Sequence, residues 1–412
     1  MGNTSANQVI VIGGGAAGFF FAINIARMRP DLSVHILEKS QQLLSKVKIS
    51  GGGRCNVTHA CFDPDELITY YPRGGKELRG PFHNFQPADT IAWFEERGVN
   101  LHAENDGRMF PETNLSQTII DCFLNEAKKY HVHIHTNAHV RSIEKMDDTF
   151  EISTQHSIFQ ARYCMITSGS SENTWRMLQS LGHSIEPPVP SLFTFHIQDP
   201  RLQGLMGVSI PNVQVQIIDS NIQTEGPLLI THWGLSGPAI LKASAWGARF
   251  LGERKYLARV LINFLPQYPV AECAQALQTT KSTQPKKQIY NSTIHPLSAR
   301  LWKQLCAFAK IPESLNWADA SNTQLQTLAQ VLTASVFTVK GKSTFKEEFV
   351  TCGGVRLTEI DMRTMESKLH PGLYFAGEVM DVDAVTGGFN FQAAWTTAFL
   401  AARAIAVKPS AL

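Results

Sequence analysis

Hydrophobic patterning is densest at the start of the chain. Residues 9–12 form a β-branched run, residues 16–29 supply good helix formers behind a glycine cluster, and residues 34–37 are a second apolar run. Pro30 and Asp31 break the chain between them. The spacing predicts strand, glycine turn, helix, strand: one βαβ unit. Further on, residues 87–98 and 115–130 carry amphipathic helical periodicity. Residues 131–140 alternate like a strand, 150–153 continue a meander, and 163–167 lead into Ser168-Gly169-Ser170. Pro187, Pro188 and Pro190 mark a boundary. After it, 192–197, 208–218 and 228–231 predict strands, and about 270–332 turns helical, polar and Gln-rich. Glycine-rich α/β character returns at Phe349-Val350-Thr351-Cys352-Gly353-Gly354 and runs to the end.

The expected fold class is α/β, with a discontinuous Rossmann-like nucleotide-binding domain over 1–190 and 345–412. The expected insertions are a β-rich domain over 191–265 and 333–344 and a helical subdomain over 266–332. No internal repeat appears.

Composition narrows the function classes. Hydrophobic residues make up 43% of the 412, which excludes a disordered chain. Charged residues are only 17%, and net charge is +2 with no Lys/Arg run longer than a pair. That places a nucleic-acid partner at a disadvantage. Residues 9–26 carry no charge for eighteen positions, yet Gly13, Gly14, Gly15 and Gly18 and the polar Asn24 argue against a membrane span. Residues 1–8 hold no Lys or Arg, so a signal-peptide n-region is missing there. Seven scattered cysteines without a CxxC pair fit free thiols in a reducing compartment. The expectation is a soluble, cytoplasmic protein of undetermined oligomeric state, with no membrane partner and no metal site.

Three glycine motifs carry the chemistry. In Gly13-Gly14-Gly15-Ala16-Ala17-Gly18, Gly13 allows the tight turn, Gly15 lets backbone approach a pyrophosphate, and Gly18 lets helix and strand pack closely. The helix N-terminus offers unpaired N–H groups to phosphates. Glu38 ends the second strand, where a carboxylate accepts from ribose hydroxyls and favours FAD or NAD over NADP. At the other end of the chain, residues 372–378 read as a strand ending in Ala376-Gly377-Glu378, and Thr386-Gly387-Gly388-Phe389-Asn390 opens an apolar helix over 391–406. That distal segment, with amides suited to negative charge on a reduced flavin, selects FAD. The third motif is Lys46 to Thr58, where Gly51, Gly52 and Gly53 adjoin Arg54, Cys55 and Asn56. Its backbone suits a pyrophosphate and Arg54 suits a phosphate.

The GGGAAG turn with Glu38, KISGGGRCNVT, THWGLSGPAIL (231–241) and GLYFAGEVMDVDAVTGGFNFQAAWTTAF (372–399) together resemble the bacterial BaiN/YhiN-like flavoproteins, NAD(P)/FAD-dependent oxidoreductases. The resemblance covers essentially the whole chain. It implies a three-layer FAD-binding domain interrupted by a β-barrel and a small helical subdomain, in a family that includes a bile-acid ene-reductase. Thr167-Ser168-Gly169-Ser170 departs from the Ala-Thr-Gly-Gly usual at that strand end. Lys39, Lys46, Val140, Ser168, Gly169 and Asp381 complete the candidate cofactor set. No second GxGxxG follows Gly18, so NAD(P)H as reductant is expected to bind transiently, with ping-pong kinetics.

Cys55 and His232 are the candidate catalytic side chains, one in the glycine loop and one beside Trp233 in the insertion. Asp381 and Asp383 suit the ribityl chain or a loop cap. His131, His133 and His135 alternate on one strand face, without the convergent carboxylates of a metal site. The expected function is FAD-dependent reduction of a small organic substrate. The rivals are a flavin-dependent RNA-modifying enzyme and a non-catalytic FAD-binding protein.

Overall fold

A computed structural model of the chain describes residues 7–342 and 350–409. The expected return to the nucleotide-binding domain over 345–349 lies outside these residues. The chain divides into two units, Met1–Pro188 with Thr351–Leu412, and Val189–Val350.

The first unit is built on a seven-stranded sheet. Its parallel strands are β1 (Gln8–Ile12), β2 (Ser33–Leu37), β3 (His133–His135), β4 (Tyr163–Ile166) and β5 (Leu373–Phe375). They lie in the order β5-β4-β1-β2-β3, and two short antiparallel strands, Ile360–Asp361 and Glu366–Ser367, extend the β5 edge. Strand β1 pairs on both sides, with Val11 opposite Ile36 and opposite Met165. Helix α1 (Ala16–Met28) follows the glycine turn, and every residue from Ala17 to Ala26 is buried. Its main neighbour is the terminal helix α2 (Phe389–Ala406). The uncharged opening stretch therefore has a packing cause. Phe20 meets Trp93 at 4.7 Å and Trp395 at 5.2 Å, and Phe123 meets Trp395 at 5.6 Å. Phe19, Phe20 and Phe21 are fully buried, each worth about 1.5–3 kcal/mol. Asn24 is buried but satisfied: Nδ2 donates to Phe20 O at 2.7 Å, and Oδ1 accepts from Trp93 Nε1 at 3.1 Å. A three-stranded meander (Val140–Met146, Thr149–Thr154, Ile158–Ala161) adds a further layer.

The second unit holds a six-stranded antiparallel sheet with long strands Ser209–Ile217, Gln223–Thr231 and Ala258–Asn263. It is nearly closed into a barrel. Its first strand, Phe195–His196, meets the chain beyond its last, with His196 N donating to Gly341 O at 2.9 Å and Lys340 N to His196 O at 2.8 Å. Helices Val270–Thr283, Ala299–Phe308 and Asn322–Thr333 supply the helical part, and share one apolar core with the barrel.

Two local expectations differ from the structure. Residues 192–197 were expected to be one strand, but only Phe195–His196 is extended, because Leu192 adopts φ +56°. The proline-rich boundary is itself a strand, Ile185–Ser191, which pairs with Val350–Val355 in a two-stranded sheet. Prolines fit there because a strand with one partner needs N–H donors on one side only.

Candidate functional site

All three glycine motifs belong to the first unit, and at Gly13 and Gly18 close backbone contacts require the glycine. Gly13 has φ +113°, and a Cβ there would sit 2.6 Å from Thr167 O. A Cβ on Gly18 would lie 2.1 Å from Gly13 O and 2.8 Å from Thr167 Oγ1, so only glycine lets α1 approach the turn. Gly15 differs: nothing lies within 4 Å of its Cβ position. It is the N-cap of α1, with no side-chain cap and no acidic residue in the first turn. The amides of Ala16 and Ala17 thus start a helix whose positive end is open to an anion.

Glu38 is locked onto the turn. Its Oε2 accepts from Gly14 N at 2.9 Å, and its Oε1 from Ser40 N at 2.9 Å and Ser40 Oγ at 3.0 Å. Lys39 is exposed beside it, and Val140 is buried at the start of the meander.

The loop of the third motif takes an unusual backbone. A helix starting at Ser45 breaks at Ser50, and Gly51, Gly52 and Gly53 follow at φ +57°, +68° and +86°. These three successive left-handed residues turn the chain back on itself, closed by Cys55 N donating to Ser50 O at 3.0 Å. Cβ positions at Gly52 and Gly53 again meet nothing within 4 Å. Asn56 ties this loop to the distal motif. In the amide orientation that satisfies both ends, it donates to Thr58 O at 3.0 Å and accepts from Gly388 N at 2.9 Å. Gly388, at φ +91°, approaches so closely that a Cβ would stand 2.4 Å from Thr58 O.

The distal motif is strapped by several side chains. Asn390 holds Ala384 at both ends, accepting from its N at 2.9 Å and donating to its O at 3.1 Å. Phe389 stacks with Tyr70 at 4.3 Å and with His59 at 4.5 Å in a three-ring cluster, and Tyr71 Oη donates to its carbonyl at 2.6 Å. Asp383 is fully buried and ion-paired with Arg73. Gly387 has φ +138°. Asp381 N donates to Val355 O at 3.0 Å.

At the end of β4 the loop lies against the Ala-Gly-acid segment. Gly169, at φ +60°, has its Cβ position 3.8 Å from Glu378 Oε2. Glu378 pairs with Lys46. Ser168 Oγ is buried without a hydrogen-bond partner, a polar atom that a ligand hydroxyl or phosphate would satisfy. Gly377 N donates to Thr397 Oγ1 at 3.1 Å, anchoring the segment to α2.

Two candidate residues have surroundings that bear on their expected roles. Arg54 was read as a phosphate donor. It pairs with Glu104 at 2.6 Å and lies over the Phe110 ring at 3.9 Å, and Glu104 also accepts from Arg108 Nη2 at 2.7 Å, so one carboxylate serves two guanidinium groups. Cys55 is fully buried at φ +63°, and burial pushes its thiol up to about 12. A neutral, inaccessible thiol does not suit a nucleophile or redox group. His232 lies exposed in the turn between Gln223–Thr231 and Gly234–Ser236 of the other unit.

The histidines expected on one strand face are part of a small cluster. His133 stacks on His35 at 4.7 Å, and His135 Nε2 lies 3.1 Å from His35 Nδ1, while His131 precedes the strand. Burial first, then its two neighbours, lowers His35 to about 4. Among the described residues, no group of three or more His, Cys, Asp or Glu is placed to hold a metal.

A parallel sheet, a glycine turn at the end of its central strand, an uncapped helix and an acid on the next strand define a Rossmann-type domain of the FAD-binding class. The chain belongs to the HI0933-like Rossmann family, whose domain model matches residues 7–404. Two curated relatives span nearly the same length. A 3-dehydro-bile acid delta(4,6)-reductase of Clostridium scindens is 26% identical over 98% of this chain and 100% of its own. A ribosomal RNA dihydrouridine synthase of Escherichia coli is 29% identical over 98% and 99%. Among solved structures, a 3-ketosteroid-delta4-(5alpha)-dehydrogenase from Rhodococcus jostii, complexed with 4-androstene-3,17-dione, aligns with a TM-score of 0.52 at 13% identity, covering 98% of both chains. No helix among the described residues is long and apolar enough to cross a membrane.

Proposed function

We propose that this protein is an FAD-dependent reductase of carbon–carbon double bonds conjugated to a carbonyl, with NAD(P)H as electron donor. The observation that carries the reading is the convergence in one unit of backbone left open for a ligand. Gly15 begins an uncapped helix, Gly52 and Gly53 face open space in a left-handed run, and Ser168 Oγ is buried without a partner beside Glu378. The donor set fits a dinucleotide: N–H groups for the pyrophosphate from residues 15–17 and 51–53, and Glu38 for the adenosine ribose. Ser168, Glu378 and Lys46 suit the ribityl chain. The N-terminus of α2, without a side-chain cap, suits negative charge on the ring.

Bound FAD would supply the hydride when reduced. The chain's own part is to bind, orient and exclude water. The two relatives are named as a bile-acid delta(4,6)-reductase and a ribosomal RNA dihydrouridine synthase. For a double bond conjugated to a carbonyl, hydride would add at the β carbon, the oxygen would take up charge, and the α carbon would then take a proton delivered from solvent. Anaerobic mixing with NADH or NADPH tests the reading, with bleaching of the flavin band and its recovery on adding an enone. A flavin that neither donor bleaches at catalytically useful rates contradicts it.

A second reading takes uracil in RNA as the substrate. The charge distribution supports it: of 37 Lys/Arg and 35 Asp/Glu, Val189–Val350 holds 15 and 9. That unit is thus +6 and the other −4, so the net +2 that spoke against nucleic acid is the sum of two opposite charges. Mass spectrometry of RNA from a deletion strain, searching for one missing dihydrouridine, separates the two readings.

A further inference from the structure

Positive charge in Val189–Val350 is concentrated in one stretch. Between 242 and 259 stand Lys242, Arg249, Arg254, Lys255 and Arg259, against the single acid Glu253. The stretch comprises helix Pro238–Trp246, helix Ala248–Glu253 and the start of strand Ala258–Asn263. The six-residue helix is about 9 Å long, so Arg249, Arg254 and Lys255 are displayed within a short span. All three are exposed, as is Arg259.

The local backbone favours this display. Lys255 and Tyr256 are both left-handed, at φ +53° and +62°, in a turn closed by Lys255 N to Gly252 O at 2.9 Å and Tyr256 N to Leu251 O at 2.7 Å. Arg254 lies flat over Phe250 at 3.6 Å, which holds its guanidinium in place. Large apolar side chains stand among the cations: Trp246 is 44% exposed and Leu257 57%. Asp219 pairs with Arg259 at 3.7 Å, an exposed contact that a phosphate could compete for.

We propose that this face is an RNA-docking surface, with Arg249, Arg254, Lys255 and Arg259 contacting phosphates and Trp246 stacking on an unpaired base. The inference rests on the second reading above and specifies which surface serves it. Phosphate contacts supply affinity, and an exposed indole among cations supplies a sequence-tolerant platform for bases. The apolar groups are single and separated by charge, not gathered into the continuous stripe that inserts into lipid.

The test is fluorescence anisotropy of the purified full-length protein with a labelled, uridine-rich RNA hairpin across a salt series. The Arg249→Gln/Arg254→Gln/Lys255→Gln variant is expected to reduce the slope of log K against log salt by about 2, and Trp246→Ala to weaken binding about tenfold. Unchanged circular-dichroism melts and FAD content verify that the variants are folded. If the triple variant binds the hairpin with the wild-type slope, this surface is overturned while the RNA reading stands. If the wild type binds no RNA, both fall. Binding to phosphatidylglycerol vesicles that is lost in the triple variant, with RNA binding unaffected, also overturns the proposal.

Discussion

The glycine turn allows stability and cofactor affinity to be separated by two alanines three positions apart. In Gly18→Ala the new Cβ would sit 2.1 Å from Gly13 O and 2.8 Å from Thr167 Oγ1, and the first of these is backbone. Helix α1 must then move by about 1 Å, because an ordinary carbon–oxygen contact is over 3 Å. Overpacking of this kind costs about 1–3 kcal/mol, offset by up to about 1 kcal/mol of better helix propensity. A net loss of about 1–2 kcal/mol corresponds to a Tm lower by roughly 2–8 °C. In Gly15→Ala the Cβ meets nothing within 4 Å, and the loss of a glycine N-cap should cost less than about 1 kcal/mol. Its effect is expected on the ligand, which must come close to that backbone. Thermal melts of apoprotein should rank wild type, Gly15→Ala, Gly18→Ala. FAD titrations followed by flavin fluorescence should instead show Gly15→Ala at least tenfold weaker than wild type. Wild-type FAD affinity in Gly15→Ala would refute the assignment of this open backbone to the pyrophosphate.

Three further predictions follow from other parts of the first unit. Arg73→Ala leaves the fully buried Asp383 without its guanidinium, and should destabilise by about 3–5 kcal/mol in urea unfolding; the double variant with Asp383→Asn should recover part of the loss. Cys55, a neutral buried thiol, should resist iodoacetamide in the native protein at pH 8, and Cys55→Ala should retain NAD(P)H-dependent flavin bleaching; rapid stoichiometric labelling at Cys55 would contradict this. His35 is lowered to about 4, so the unfolded chain binds its proton first as pH falls from about 6.5. The stabilisation from its neutral form is complete above that pH and declines towards 4. Allowing for solvent screening of a half-buried group, it amounts to roughly 1–2 kcal/mol, and His35→Asn should flatten unfolding free energy against pH in that window.

The parts legible in the sequence were those whose requirement is local. Gly13, Gly15 and Gly18 announce a turn because strand and helix periodicity flank them, and the acid at Glu38 lies one strand further on. The left-handed run at Gly51, Gly52 and Gly53 is legible for the same reason, since no other residue type tolerates three such positions. Contacts spanning the discontinuous domain were not legible. Arg73 finds Asp383 across 310 positions, and Thr58 finds Gln392 across 334. Nothing near Arg73 marks it except the glycines after it, and Gly74 in fact lets the chain pass Val382, whose Cγ2 would be 2.6 Å from a Cβ. The pairing of Arg54 with Glu104 was not legible either, because Glu104 belongs to a hairpin whose pairing the local pattern does not specify. The basic stretch at 242–259 has no local sequence mark, because its charges are spaced along two short helices and a turn rather than run together.

The first unit is proposed to hold FAD by its adenosine ribose and pyrophosphate as well as its ring. Titration of apoprotein by isothermal calorimetry with FAD, FMN and riboflavin tests it most directly. One FAD per chain is expected, with FMN and riboflavin at least a hundredfold weaker, because neither carries an adenosine ribose for Glu38, and the α1 terminus meets one phosphate in FMN and none in riboflavin. Equal affinity for FMN and FAD, or no uptake of FAD, would contradict it.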